Sequence, residues 1–206
     1  MTFVIDGTAA SANVSEQLIH RLLGPRPSWR GGPLLPASQG FATAVVAAIA
    51  TLPETSGPIV PAILAVGALL MVVWGGMAGV MATRPGIATW TSAASAVLNI
   101  AAEGIFVVAV VIWSRRQEDL PGPLAVGFLA FGGALLLSYA RTRIRASAGL
   151  DLADGPWGVA SREARLIILA VAALVGQPYW GLVAMAVLAH GAVLGHLVRL
   201  RATLSG

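Results

Sequence analysis

Among the nine acidic residues of the chain, Glu103 alone lies deep within an apolar run. Asn99 and Ser95 precede it by one and two helical turns, so the three side chains share one helix face. A carboxylate at mid-bilayer is costly even on lenient insertion scales, and such groups face a bundle interior or a water-filled cavity. The stripe reads either as the lining of a wet cavity open to the cytoplasm or as hydrogen-bonding glue between packed helices. Arg162 and Arg165 stand one turn apart at the start of a later apolar helix, and Arg141 and Arg143 follow the helix before it. Guanidinium groups offer planar donor forks that match phosphate. These four arginines read as phosphate ligands or as anchors at the cytoplasmic membrane surface. Arg199 and Arg201 read as simple anchors. His190 and His196 are six residues apart, off the spacing that would let one helix face offer both to a metal, and read as packed or interfacial. Gly75 and Gly79, four apart, mark a place where another helix comes close.

The elements that hold these residues follow from composition. Of the 206 residues 57% are hydrophobic and 11% charged, and the mean hydropathy is +0.81. A soluble domain carries roughly 25% charged residues, so water cannot be the solvent of this surface and lipid must be. The long run from Ile59 to Ala82 does not alternate as a membrane β-strand would. In hydrocarbon the backbone must satisfy its own hydrogen bonds, and a helix does this within one segment. The expected fold is an all-α polytopic membrane protein of about six transmembrane helices. All thirteen basic residues are Arg, the net charge is +4, and the clustering of Arg at helix ends points away from nucleic acid and toward membrane orientation or anionic ligands. The absence of Cys excludes disulfides and thiol chemistry, and no cleavable signal is evident at the N-terminus.

Residues 1–37 form a polar, Pro-rich N-terminal segment in which Val14, Leu18, Ile19, Leu22 and Leu23 recur at helical spacing. Asn13 and Glu16 are placed as a capping pair, and the pattern predicts a short amphipathic helix on the membrane surface. Residues 38–206 form one membrane domain, with spans expected near 38–53, 59–83, 87–113, 121–140, 159–176 and 179–199. Breaks fall at Pro53-Glu54, at Arg84-Pro85-Gly86, across Arg115 to Gly122, across 141–158 and at Gln177-Pro178. With the N-terminus inside and six spans, Arg21, Arg26, Arg30, Arg84, Arg141, Arg143, Arg145, Arg162, Arg165, Arg199 and Arg201 fall on the cytoplasmic side. Only Arg115 and Arg116 fall outside, beside Glu118 and Asp119. That asymmetry predicts both termini in the cytoplasm and an inner-membrane location.

Two stretches carry a resemblance. Ser138-Tyr139-Ala140-Arg141-Thr142-Arg143, with Ala146 and Gly149-Leu150 after it, is similar to the S-Y-x-R-A-R-A stretch of the CDP-alcohol phosphotransferases, with one residue more. Gly158, Arg162 and Arg165, running into Leu166, match that family's G-x3-R-x2-R-L pattern. The resemblance covers roughly residues 15–200. It implies a six-span enzyme of phospholipid synthesis that moves a phosphatidyl or phospho-alcohol group from a CDP-linked donor. The family's signature, D-x2-D-G-x2-A-R-x8–12-G-x3-D-x3-D, binds two divalent metals and supplies the base. Set on Arg84, it places Gly76 and Gly79 at the first two Asp positions, Val80 at the glycine, and Thr83 at the alanine. Ser95 then falls at the second glycine, and Asn99 and Glu103 fall at the last two Asp positions. Asp151-Leu-Ala-Asp154-Gly155 imitates the opening of the signature but lacks the Ala-Arg and the acidic pair that should follow.

The resemblance thus implies Glu103 and Asn99 at catalytic positions, and Arg84, Ser95, Arg141, Arg143, Arg162 and Arg165 as substrate-binding residues. No metal site is expected, because glycines supply no ligand side chain and hard divalent cations bound to phosphates usually need carboxylates. Mg or Mn enters only if the chain is an active enzyme. The expected ligands are a membrane lipid, a CDP-lipid or a phosphorylated alcohol, with a homodimer or partner protein as a further expectation. The expected function is that of a divergent member without the two-metal site, which binds such a ligand or supports a partner. Two other functions fit the same residues: an active phosphotransferase with Glu103 as base, and a small proton-coupled transporter with Glu103 as its proton site. Against the transporter stands the absence of an internal repeat.

Overall fold

A computed structural model describes residues 32–52, 59–83, 87–117, 120–148 and 160–204. These form six helices, α1 (Leu34–Ala50), α2 (Ile59–Ala82), α3 (Thr89–Ser114), α4 (Pro123–Ala148), α5 (Arg162–Leu174) and α6 (Pro178–Leu204), with no strand among the described residues. Four of them, α2, α3, α4 and α6, are long and apolar enough to cross a membrane. The amphipathic surface helix expected within residues 1–37 lies outside the described residues, as do Arg84 and the 151–155 segment. Large apolar side chains point outward along the helices; Phe128 is 78% exposed and Val198 69%. In water such a surface would aggregate, and in lipid it is solvated.

The ends of α5 are written into its sequence. Ser161 caps its start, its hydroxyl accepting from the Ala164 amide at 3.2 Å. At the other end Gly176 adopts φ 75°, and the amides of Gly176 and Gln177 donate back to the carbonyls of Ala173 and Ala172 at 2.9 and 2.7 Å. This pair of bonds is a Schellman stop, and only glycine takes that φ without strain. Pro178 then opens α6, where its missing amide costs nothing. Thirteen residues at 1.5 Å rise give about 20 Å, short of the roughly 30 Å of a hydrocarbon core. The span expected at 159–176 is therefore a helix of about two-thirds the core thickness, capped at both ends. The helix α4 corrects a second expectation: it runs on to Ala148, through Arg141 and Arg143. No Gly or Pro interrupts residues 134–148, so the drop in hydropathy marks where the helix leaves lipid rather than where it stops.

Two connections fix the directions of the helices. The Arg116 guanidinium, just past α3, donates to the carbonyls of Thr51 and Leu52, just past α1, at 2.6 and 2.8 Å. The Tyr179 hydroxyl, at the start of α6, donates to the Pro121 carbonyl ahead of α4 at 2.7 Å. The ends of α1 and α3 and the starts of α4 and α6 thus share one rim, and successive helices alternate in direction. The closest pairings are α1 with α3, α4 with α6 and α2 with α5. The main core joins Leu64, Ala68 and Met71 of α2, Phe106 and Val110 of α3, and Leu166 and Leu169 of α5. A smaller cluster of Leu137, Ala160, Ala192 and Val193 seats the start of α5 against α4 and α6.

Arg116 offers its two donors to carbonyls that the end of α1 leaves without helical partners. Arg116→Ala is expected to lower stability by about 1–3 kcal/mol, read as melting temperature in detergent. Exposed Arg115→Ala should move it by no more than about 0.5 kcal/mol.

Candidate functional site

The two arginines that open α5 meet the one buried carboxylate of α3. Glu103 and Arg165 are both nearly inaccessible, at 3% exposure each. Arg165 Nε and Nη2 donate to Glu103 Oε1 at 2.9 and 2.7 Å, and Nη1 donates to the Ala160 carbonyl at 2.7 Å. Every face of this guanidinium is used. Burial removes the competition of water, so such a pair is strong once made and costly to break on one side.

Arg162, one turn earlier, is placed differently. Its Nε lies 3.9 Å from Glu103 Oε2, close enough for charge attraction and too far for a hydrogen bond. Its Nη1 reaches across to the Met71 carbonyl of α2 at 3.5 Å. Its Nε and Nη2 are buried and have no hydrogen-bond partner. Two guanidinium groups thus share one carboxylate, and Glu163 beside them makes no ion pair among the described residues. Arg162 keeps a donor edge with nothing on it, while Glu163 acts on this arginine through charge alone.

The glycines of α2 explain how Arg162 fits. A Cβ on Gly75 would overlap Arg162 Nη1, whereas a Cβ on Gly76 or Gly79 would meet nothing within 4 Å. The expected close approach of another helix at Gly75 and Gly79 is corrected: Gly75 admits a guanidinium group, and Gly79 faces open space. The physical reason is that the first turn of α5 stands at the level of Gly75, so the Arg162 side chain and not a backbone fills the notch.

Asn99, one turn before Glu103, keeps a buried Oδ1 without a partner, and so does Gln39 Oε1 on α1. Gly40 brings α1 against this place, a Cβ there lying 3.5 Å from Trp74 Cβ and 4.0 Å from Asn99 Oδ1. Ser95 is buried but spends its hydroxyl on the Ser92 carbonyl of its own helix at 2.8 Å. Of the residues singled out from sequence, the structure joins Glu103, Arg162 and Arg165, with Asn99 one turn away. It places Arg141 elsewhere: its Nε donates to Nε2 of His196, fully buried on α6, at 3.4 Å. Arg143 is exposed on the same helix, and Arg84 lies outside the described residues. His190 is packed as expected, its Nδ1 donating to the Ala186 carbonyl at 2.8 Å and its ring against Gly133. Sequence reasoning passed over Gln39, an uncharged residue with no spacing partner. It also missed the pairing of Glu103 with Arg165, whose signal was charge alone: a lone carboxylate in an apolar run needs a cation.

Two divalent ions do not fit this donor set. Gly76 and Gly79 offer no ligand atoms, Asn99 offers one amide, and Glu103 is already taken up by Arg165. Among the described residues no group of three or more His, Asp or Glu comes together. Compared with known proteins, the chain matches no protein-family model and no curated protein.

Removing the charge of Glu103 leaves two buried guanidinium groups with no counter-ion. Glu103→Gln is expected to destabilise by about 3–5 kcal/mol. Glu103→Gln combined with Arg165→Met should cost less than the sum of the two single changes, with thermal unfolding in detergent as the measurement.

Proposed function

We propose that this chain is a divergent, six-span relative of the CDP-alcohol phosphotransferases that binds a phosphate-bearing ligand without a two-metal site. The ligand is a CDP-lipid or a phosphorylated head group, held at the α2–α3–α5 junction in the inner membrane with both termini in the cytoplasm. In this reading α1 and α5 complete the six spans, packed on the longer α3 and α2. The chain acts as a binding protein or as support for a partner enzyme, and a homodimer is the simplest assembly.

One observation carries the reading. Arg162 keeps two buried donors free beside a single carboxylate that is bonded to another arginine. A guanidinium with an empty donor edge is suited to an oxyanion, and phosphate, like carboxylate, matches such a fork. The same pairing argues against Glu103 as a base. Its Oε1 accepts two charge-assisted hydrogen bonds from Arg165, which tie the carboxylate to that guanidinium rather than to a substrate. An oxyanion at Arg162 needs no divalent ion, since the guanidinium supplies the charge.

The test is thermal unfolding of the purified protein with CDP-diacylglycerol, in EDTA and in Mn²⁺. The expected result is a rise of several degrees at about 100 times Kd, a stabilisation of roughly 2.7 kcal/mol, equal in the two conditions and lost in Arg162→Ala. A rise that needs Mn²⁺, accompanied by release of CMP, would establish a metal-dependent transferase instead. Orientation has its own test, made easy by the absence of Cys. A cysteine at Ser205 should react with an impermeant thiol reagent only after the cells are opened, and one at Gln117 should react in intact spheroplasts.

A further inference from the structure

Gly75 offers no side chain to a ligand, yet it governs where the Arg162 guanidinium lies. The helix α2 is buried at Gly75, and the missing Cβ leaves a notch on the face turned to α5. Arg162 Nη1 occupies that notch and is directed at the Met71 carbonyl, four residues earlier on the same helix. The carbonyl fixes one corner of a planar group. With Nη1 held, the Nε–Nη2 edge is left as the pair of donors without partners. That edge is the side of a guanidinium that presents two parallel N–H groups to two oxygens of one anion.

We infer that Gly75 is a positioning residue for anion binding: it seats Arg162 Nη1 on α2 and so presents the Nε–Nη2 edge to a phosphate group. This rests on the reading that Arg162 holds the ligand's phosphate, and it adds the cause of that arginine's aim. A methyl group at Gly75 would meet the far end of a flexible side chain, not backbone. The fold therefore survives the substitution while the guanidinium swings out of the notch. Its nearest alternative is Glu103 Oε2, 3.9 Å from Nε, and a bond there would consume the edge that the anion uses. The same argument says that a methyl group on Gly191 of α6, where a Cβ meets nothing within 4 Å, should leave binding alone.

The experiment measures the affinity of the detergent-purified full chain for CDP in EDTA by calorimetry, with CDP-diacylglycerol and inorganic phosphate as parallel probes. Gly75→Ala is expected to weaken CDP by at least about tenfold, the worth of one charge-assisted hydrogen bond, with little change in melting temperature; Gly191→Ala is expected to bind as the natural chain does. Arg162→Lys keeps a cation but has no fork, so it should bind weakly, and adding Gly75→Ala to it should change nothing further. That coupling separates aim from mere packing, which would lower stability in both backgrounds and leave affinity untouched. If Gly75→Ala binds CDP with the natural affinity, or weakens Arg162→Lys as much as it weakens the natural chain, the inference fails while the phosphate reading stands. If Arg162→Ala binds all three probes as the natural chain does, or none of them binds the natural chain, the reading itself fails and the inference with it. Should Gly75→Ala alone not fold, the Gly75→Ala/Arg162→Lys chain decides: recovered folding with the affinity of Arg162→Lys supports the notch, and a second failure to fold overturns it.

Discussion

A carboxylate cannot sit alone at the middle of an apolar bundle, and the contact that resolves this for Glu103 organises the rest of the molecule. Its partner must be a cation at the same depth, and a helix that crosses the membrane in one piece would carry its arginines at the ends. The chain instead uses a short helix. α5 is stopped by Ser161 on one side and by the Gly176 turn on the other, so its first turn falls at the level of Glu103 and Met71. Arg165 can then donate from each of its three nitrogens, to Glu103 and to the Ala160 carbonyl. The apolar contacts of Leu166 and Leu169 with α2 and α3 lock the helix at that height.

The second arginine turns this structural device into a chemical one. Had Arg162 also bonded to Glu103, the cluster would be a closed network of the kind that fixes a bundle and does nothing else. The Gly75 notch draws one corner of Arg162 toward α2, and the carboxylate stays just out of hydrogen-bond range. What results is a cationic centre in a low-dielectric surrounding, where an unpaired charge has a strong demand for a counter-ion. The phosphate affinity proposed for this chain rests on that fixed guanidinium and its open donor edge.

Much of the fold was legible because hydrophobic runs and their Gly and Pro breaks report directly on helices in lipid. The spans at α2, α3 and α6 fall within a few residues of their expected places. The short α5 was legible to the same degree, its ends at Arg162 and Leu174 lying three and two residues inside the expected 159–176. The site was legible by type and not by partner. Glu103 stood out as the one deep carboxylate, and Arg162 and Arg165 as a paired face, but residues 62 apart share no local pattern that says they touch. Arg141 looked equivalent to Arg162 in sequence and is drawn instead to His196, because α4 pairs with α6. Gly75 was read for what it lacks toward a helix, and its meaning came from a side chain on another element.

The central claim is that guanidinium charge, and not bound metal, holds the phosphate at this junction. Equilibrium dialysis of Mn²⁺ against the purified protein, with and without saturating CDP, measures this directly. Protein and nucleotide together should retain no more Mn²⁺ than the same concentration of nucleotide alone. Retention of two additional Mn²⁺ ions per chain would contradict it.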